Sequence, residues 1–89
     1  MTMLDTTGQD ARRRAAKAQA THQVRLDTRS TCEDGMLVAV PGYTIAALHD
    51  RDEVVAFVPV HEWATPAEVC AELRAAGYTA LGFGYVRAA

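Results

Sequence analysis

Val24-Arg25-Leu26-Asp27-Thr28-Arg29, Cys32-Glu33-Asp34-Gly35 and Met36-Leu37-Val38-Ala39-Val40 decide the fold between them. In the first stretch Val24, Leu26 and Thr28 alternate with Arg25, Asp27 and Arg29, the two-residue period of a half-solvated strand. Asp34-Gly35 supplies the positive φ angles of a tight hairpin, so the turn Cys32–Gly35 should return Met36–Val40 antiparallel to the first strand. An antiparallel sheet is therefore the centre of the domain.

Outward from this hairpin, Pro41-Gly42 has the composition of a type II turn, with proline fixing one φ and glycine supplying the left-handed position after it. Tyr43–His49 then makes a third strand, Asp50-Arg51-Asp52-Glu53 a polar turn, and Val54–Val60 a fourth strand with Pro59 near its end or on an exposed edge. The strands at 36–40 and 54–60 are apolar on both faces, which calls for cover on both sides by helices or by a second copy of the molecule.

Thr65-Pro66-Ala67-Glu68 is a helix start, in which threonine caps, proline occupies the first helical position and glutamate reaches back to complete a capping box. The helix should span 66–76, with Val69, Cys70, Leu73 and Ala76 inward, Glu68, Glu72 and Arg74 in water, and Gly77 as its left-handed stop. Tyr78–Arg87 follows as a last strand. Toward the N-terminus, Thr7 with Asp10 opens an Ala-rich helix to about Thr21, whose stripe of Ala11, Ala15 and Ala18 buries little.

The expected fold is α+β and two-layered: a mostly antiparallel sheet of four or five strands, one well-capped helix at 66–76 and an Ala-rich N-terminal helix, in the order α-β-β-β-β-α-β. Residues 1–8 are expected to be a flexible N-terminus, and 9–89 a single small domain. Eighty-nine residues are too few for two cores. A composition 49% hydrophobic and 22% charged, with three prolines, belongs to a folded chain and not a disordered one. No apolar run approaches the roughly 18 residues of a membrane span.

Charge is unevenly spread. Residues 1–30 hold six basic side chains against three acidic, residues 31–89 three against eight, within a net charge of −2. This balance disfavours a domain that coats nucleic acid by bulk electrostatics, while leaving a basic N-terminal arm. Two cysteines are too few for a disulfide framework, and no secretory apolar segment follows Arg12-Arg13-Arg14. Asp5 and Asp10 interrupt what would otherwise resemble a transit peptide. The reducing cytoplasm is the expected compartment.

Leu81-Gly82-Phe83-Gly84-Tyr85-Val86 would place Leu81, Phe83 and Tyr85 on one strand face and the glycines on the other. Its Gly-Phe-Gly-Tyr-Val core resembles the signature octapeptide of RNA-recognition-motif domains, and Phe57-Val58 with the capped helix adds a fainter likeness to that family's first strand and helix. The resemblance implies that Phe83 and Tyr85 stack on bases. Leu81 stands where the family carries lysine or arginine, Ala88 where it carries an aromatic, and the order of elements differs. The other reading of Phe83 and Tyr85 is as core or interface aromatics.

Other candidates are weaker. Arg12, Arg13, Arg14 and Lys17 suit phosphate contacts, although consecutive arginines spread around a helix instead of forming one stripe. His22, Cys32, His49, His61 and Cys70 lack the closely spaced pairs of a zinc site, and Asp50–Glu53 lacks the glycine and ligand ladder of a calcium loop. No metal or cofactor is expected. Cys32 would need His22 or His49 as a base to act as a nucleophile. His61-Glu62-Trp63 lies between a strand and a helix N-terminus, where an anion is favoured; the alternative is Trp63 folded on Val69 as a hydrophobic staple.

No catalytic constellation converges, and the apolar strand faces exceed what the two helices can cover. The expectation is a non-catalytic binding or regulatory module, an adaptor or inhibitor, that acts through protein contact with a partner or a second copy, with Trp63, Phe83 and Tyr85 as contact residues. The alternative is a small nucleic-acid-binding module using Arg12, Arg13, Arg14, Lys17, Phe83 and Tyr85. An enzyme or enzyme subunit centred on His61-Glu62-Trp63 is the weakest reading. No membrane partner is expected.

Overall fold

The computed structural model describes the backbone from Thr2 to Ala89 and the side chains from Gly8 onward. Its elements are α1 (Thr2–Gln19), β1 (His22–Glu33), β2 (Met36–Ala47), β3 (Asp50–Pro59), α2 (Pro66–Ala75), β4 (Tyr78–Gly82) and β5 (Tyr85–Ala88). The strands form one antiparallel sheet in the order β3-β2-β1-β5-β4, so the two-layer α+β class stands with five strands. Three strands precede α2 and two follow it, where four and one were expected. The expected flexible segment 1–8 falls mostly on residues whose side chains lie outside the description. Helix α1 begins ahead of Thr7, so Thr7 and Asp10 lie within it and do not open it.

The redistribution has two causes. Pro41 and Gly42 do not turn the chain: they stand opposite Thr28 and Asp27 within a β2 that continues from Met36 to Ala47. Pro41 is tolerated because its carbonyl points away from β1 and accepts the Val60 N–H at 3.1 Å, so its missing donor costs no rung of the β1 ladder. Gly42 is small because β3 crowds it. A Cβ there would lie 2.7 Å from the Phe57 ring and closer still to the Val58 carbonyl.

The second cause is at the C-terminus, where the expected last strand is a hairpin. Gly82, Phe83 and Gly84 have φ of 88°, 56° and 78°, and this left-handed run reverses the chain between β4 and β5. The glycines that alternate with Phe83 thus belong to a turn, not to one face of a strand. Leu48-His49 joins β2 to β3, so Asp50–Glu53 opens the strand through a shifted register and does not form the turn.

The first hairpin is as expected in kind and tighter in detail. Asp34 and Gly35, at φ 52° and 80°, make the reversal alone, while Cys32 still faces Leu37 and Glu33 faces Met36. Helix α2 carries the full capping box at Thr65 and Glu68, with Pro66 in its first turn, and Gly77 takes φ 98° beyond the cap. Its inward stripe is narrower than expected. Leu73 is buried and Val69 half-buried, whereas Cys70 and Ala76 are exposed, because a ten-residue helix on a twisted sheet presents only one row spaced by four.

Ile45, Val58, Val60, Leu73 and Val86 form the core, flanked by Val24, Tyr43, Ala56, Ala64, Val69, Tyr78 and Ala80. Register puts the sheet members of this set on one face, under α2. On the opposite face α1 packs against β4 and β5 and buries Ala16, but β1 to β3 have no helix over them. Their cover is polar. Gln23 Nε2 donates to the Ala47 and Leu48 carbonyls, Arg25 to the Arg51 carbonyl, and the Arg29 guanidinium lies 4.7 Å over the Phe57 ring centroid. Long side chains laid along the sheet bury Thr44 and Ala46 on this face.

Candidate binding surface

Strands β1 and β2 are longer than the sheet that holds them. Strand β5 meets β1 only near His22–Val24, and β3 leaves β2 at Gly42, with one further bond from Val60 to Pro41. Beyond those points the hairpin projects as a two-stranded arm, which stretches the molecule to 54 × 26 × 22 Å. Every residue from Ser30 to Ala39 is exposed. The arm is also unequal in its chemistry: β1 contributes Ser30, Thr31 and Glu33, while β2 contributes Met36 and Leu37, at 70% and 83% exposure, with Val38 and Ala39 beside them. Among the described residues, no other element of the fold covers this apolar strand.

At the base of the arm lies a groove of about 710 Å³, walled by Ala39 and Pro41 on one side and by the β3–α2 connection, Pro59 to Trp63, on the other. A smaller hollow of about 270 Å³ continues from it toward Leu26 and Tyr43 at the edge of the core. Trp63 stands at the rim, 83% exposed, so it is not folded on Val69 as a staple. Two side-chain bonds hold the connection in place. The Trp63 N–H donates to His61 Nδ1 at 3.2 Å, and His61 Nε2 is 3.2 Å from Glu68 Oε2.

These contacts fix the imidazole tautomer: Nδ1 accepts, so the neutral ring carries its proton on Nε2 and donates it to Glu68. Glu68 Oε1 meanwhile accepts the Thr65 N–H and hydroxyl. The Thr65 N–H, then His61 and the Thr65 hydroxyl, hold the Glu68 carboxyl below the usual carboxylate range. His61 therefore pairs with Glu68, not with its neighbour Glu62, and the pair braces the loop that presents Trp63. Nothing in the sequence spacing separates Glu68 as a cap from Glu68 as a histidine partner; it is both.

Elsewhere the expected site residues scatter. Phe83 is half exposed in the β4–β5 turn with the Arg13 guanidinium 5.8 Å from its ring centroid, and Tyr85, half-buried, opens β5 opposite Gln23. The two aromatics thus share no strand face, as a base-stacking platform requires, and neither lines the groove beside Trp63. Arg12, Arg14 and Lys17 are exposed along α1. Cys32 sits near the arm's tip and Cys70 on α2, both exposed. His22 is edge-on to Tyr78 and bonded to the Thr21 hydroxyl, away from Cys32.

Leu26, Met36 and Leu37, the most exposed apolar strand residues, were expected in the sheet's packed strands. A signal for their exposure was present: Thr28 to Glu33 contains no large aliphatic residue, so the strand facing Met36–Val40 could not supply its half of a core. Compared with models of known families, with curated proteins and with solved structures, the chain matches none.

Proposed function

We propose that the protein is a non-catalytic binding module, of adaptor or inhibitor type, that engages a protein partner through the projecting arm and the groove at its base. The observation that carries this reading is the exposure of Leu26, Leu37 and Trp63 on the sheet face that holds the groove, with Met36 and Val38 exposed on the arm's other face, while Ser30 and Thr31 occupy the facing strand. Burial of apolar side chains drives such contacts, and large aromatics such as Trp63 are common anchors. The exposed thiols of Cys32 and Cys70 suit a reducing compartment, and we place the protein in the cytoplasm. No helix among the described residues is long and apolar enough to cross a membrane.

Capture from the native host with the wild-type chain and with a Leu37→Lys/Trp63→Ala variant tests this proposal. A partner held by the first and lost by the second supports it; a partner held equally by both sinks it. The second reading, a nucleic-acid-binding module, draws support from the contact between Arg13 and Phe83, which puts a basic helix beside an exposed aromatic. That same contact occupies a ring face that stacking would need.

A further inference from the structure

We infer that the arm's occupant is a second copy of this chain, paired edge to edge through β2; the inference rests on the arm being the binding surface and names its partner. Successive residues of a strand turn their N–H and C=O groups to alternate sides. The Pro41 carbonyl points away from β1, to Val60, so Ala39 and Leu37 point the same way. Past Pro41 no strand lies there. Leu37 and Ala39 therefore present their backbone donors and acceptors at an open edge.

The other edge of the arm is guarded. Val24 donates to the Gly84 carbonyl at 2.8 Å, so Leu26, Thr28 and Ser30 turn outward from β1. There the Thr28 N–H is taken by its neighbour's carboxylate, Asp27 Oδ1, at 2.8 Å, and Arg25, Asp27 and Arg29 punctuate the strand. Charge and side-chain caps of this kind keep an edge single. Met36 to Val40 has neither: five consecutive uncharged residues, with proline only after them.

That stretch is complementary to itself. In an antiparallel two-fold pairing centred on Val38, Leu37 faces the partner's Ala39, Val38 faces the partner's Val38, and Met36 faces the partner's Val40. Outward-facing residues then meet outward-facing residues, giving about four backbone hydrogen bonds. No like charges oppose one another. Because Arg29 stands beside Val40 and Glu33 beside Met36, the two outermost rows across the joined sheet each start on a cation and end on the partner's anion. The groove also fits this register. The partner's turn comes level with Pro41, whose carbonyl is held by Val60, so the pairing ends at Met36 and Val40, and the partner's Leu37, opposite Ala39, enters the groove beside Trp63.

Sedimentation equilibrium on the full chain reads the outcome. The wild type should dimerise, Ala39→Pro should weaken dimerisation at least tenfold by deleting an outward N–H in each copy, and Ser30→Pro, the same change on the guarded edge, should not. Circular dichroism confirms that both variants fold. In a Cys32→Ser/Cys70→Ser background, Val38→Cys should oxidise to a covalent dimer across the two-fold and Ser30→Cys should not. A chain monomeric at every concentration, with no Val38→Cys cross-link, overturns self-pairing, and leaves the arm reading standing if Leu37→Lys still abolishes capture of another protein. A dimer indifferent to both prolines and to Leu37→Lys overturns both.

Discussion

The Thr44 hydroxyl donates to Asp27 Oδ2 at 3.0 Å across β1 and β2, while the other carboxylate oxygen of Asp27 takes the N–H of Thr28. Thr44 is 1% exposed, so this carboxylate satisfies a buried hydroxyl and an edge amide together. Asp27→Ala should lower stability, because the Thr44 hydroxyl is stranded without a partner. Urea denaturation of Asp27→Ala and of Asp27→Ala/Thr44→Val measures it, and the double variant should recover part of the loss. Equal midpoints for wild type and single variant would show that water replaces the carboxylate.

Gly42→Ala should destabilise the domain by about 1–3 kcal/mol through overpacking, since the added methyl meets the Phe57 ring and the Val58 backbone. A thermal melt decides it. Phe57→Leu in the same chain should relieve part of the strain, and an unaffected Gly42→Ala melt would mean that β3 stands further from β2.

Leu73→Ala opens a cavity under α2 and should cost about 2–5 kcal/mol, whereas Cys70→Ala, three residues earlier and exposed, should stay within about 0.5 kcal/mol of wild type. Thr65→Ala, which removes the cap, falls between them at about 1 kcal/mol. Denaturant midpoints of the three variants give the order, and a Cys70 effect as large as that of Leu73 would mean that the helix presents a different face.

Glu68 and Asp27 both titrate below their ordinary values of 4.5 and 3.8, the first chiefly through the Thr65 N–H and the second chiefly through the Thr28 N–H, then the Thr44 hydroxyl. A depressed carboxylate adds stability that is complete above its unfolded value and is lost as pH falls through the folded one. Stability should therefore hold from neutrality to about pH 5 and decline below the ordinary values. A Glu68→Gln/Asp27→Asn chain should be less stable at pH 7 and show a shallower acid decline. Parallel acid profiles would contradict the assignment.

Nucleic acid should bind weakly. Titration with mixed single-stranded RNA and DNA at about 150 mM salt should find nothing tighter than the non-specific range of ~10⁻⁴–10⁻⁶ M. Arg12, Arg13 and Arg14 changed to alanine would flatten the salt dependence only if they met phosphates, by up to ~0.7 of a log-log slope per lost contact, and Phe83→Ala or Tyr85→Ala would cost ~1–3 kcal/mol only if the rings stacked on bases. Saturable submicromolar binding that depends on either ring would promote the second reading over the first.

The sheet, its first hairpin and the capped helix were legible because each rests on local chemistry: Asp34-Gly35 can make few other shapes, and Thr65-Pro66-x-Glu68 is a helix start wherever it is solvated. Pro41-Gly42 misled because the same dipeptide serves a turn by its φ angles and a strand by its lost donor and small size, and only the neighbouring β3 distinguishes them. Phe83 misled for the opposite reason. A left-handed aromatic is costly in isolation, and the surrounding fold, with Val24 bonded to Gly84, sets the turn. Of the binding surface, Trp63 was visible from the sequence, while the arm was not, since strand length beyond the sheet is a property of the partners that stop short.

An arm without a third strand has its own kinetics. Its rungs from Ser30 to Ala39 are flanked by solvent on both sides, so they open without the core opening, and their amide hydrogens exchange with deuterium long before those of Ile45 or Val86. The molecule thus carries two clocks in one sheet, and whatever settles on the arm will slow the faster one.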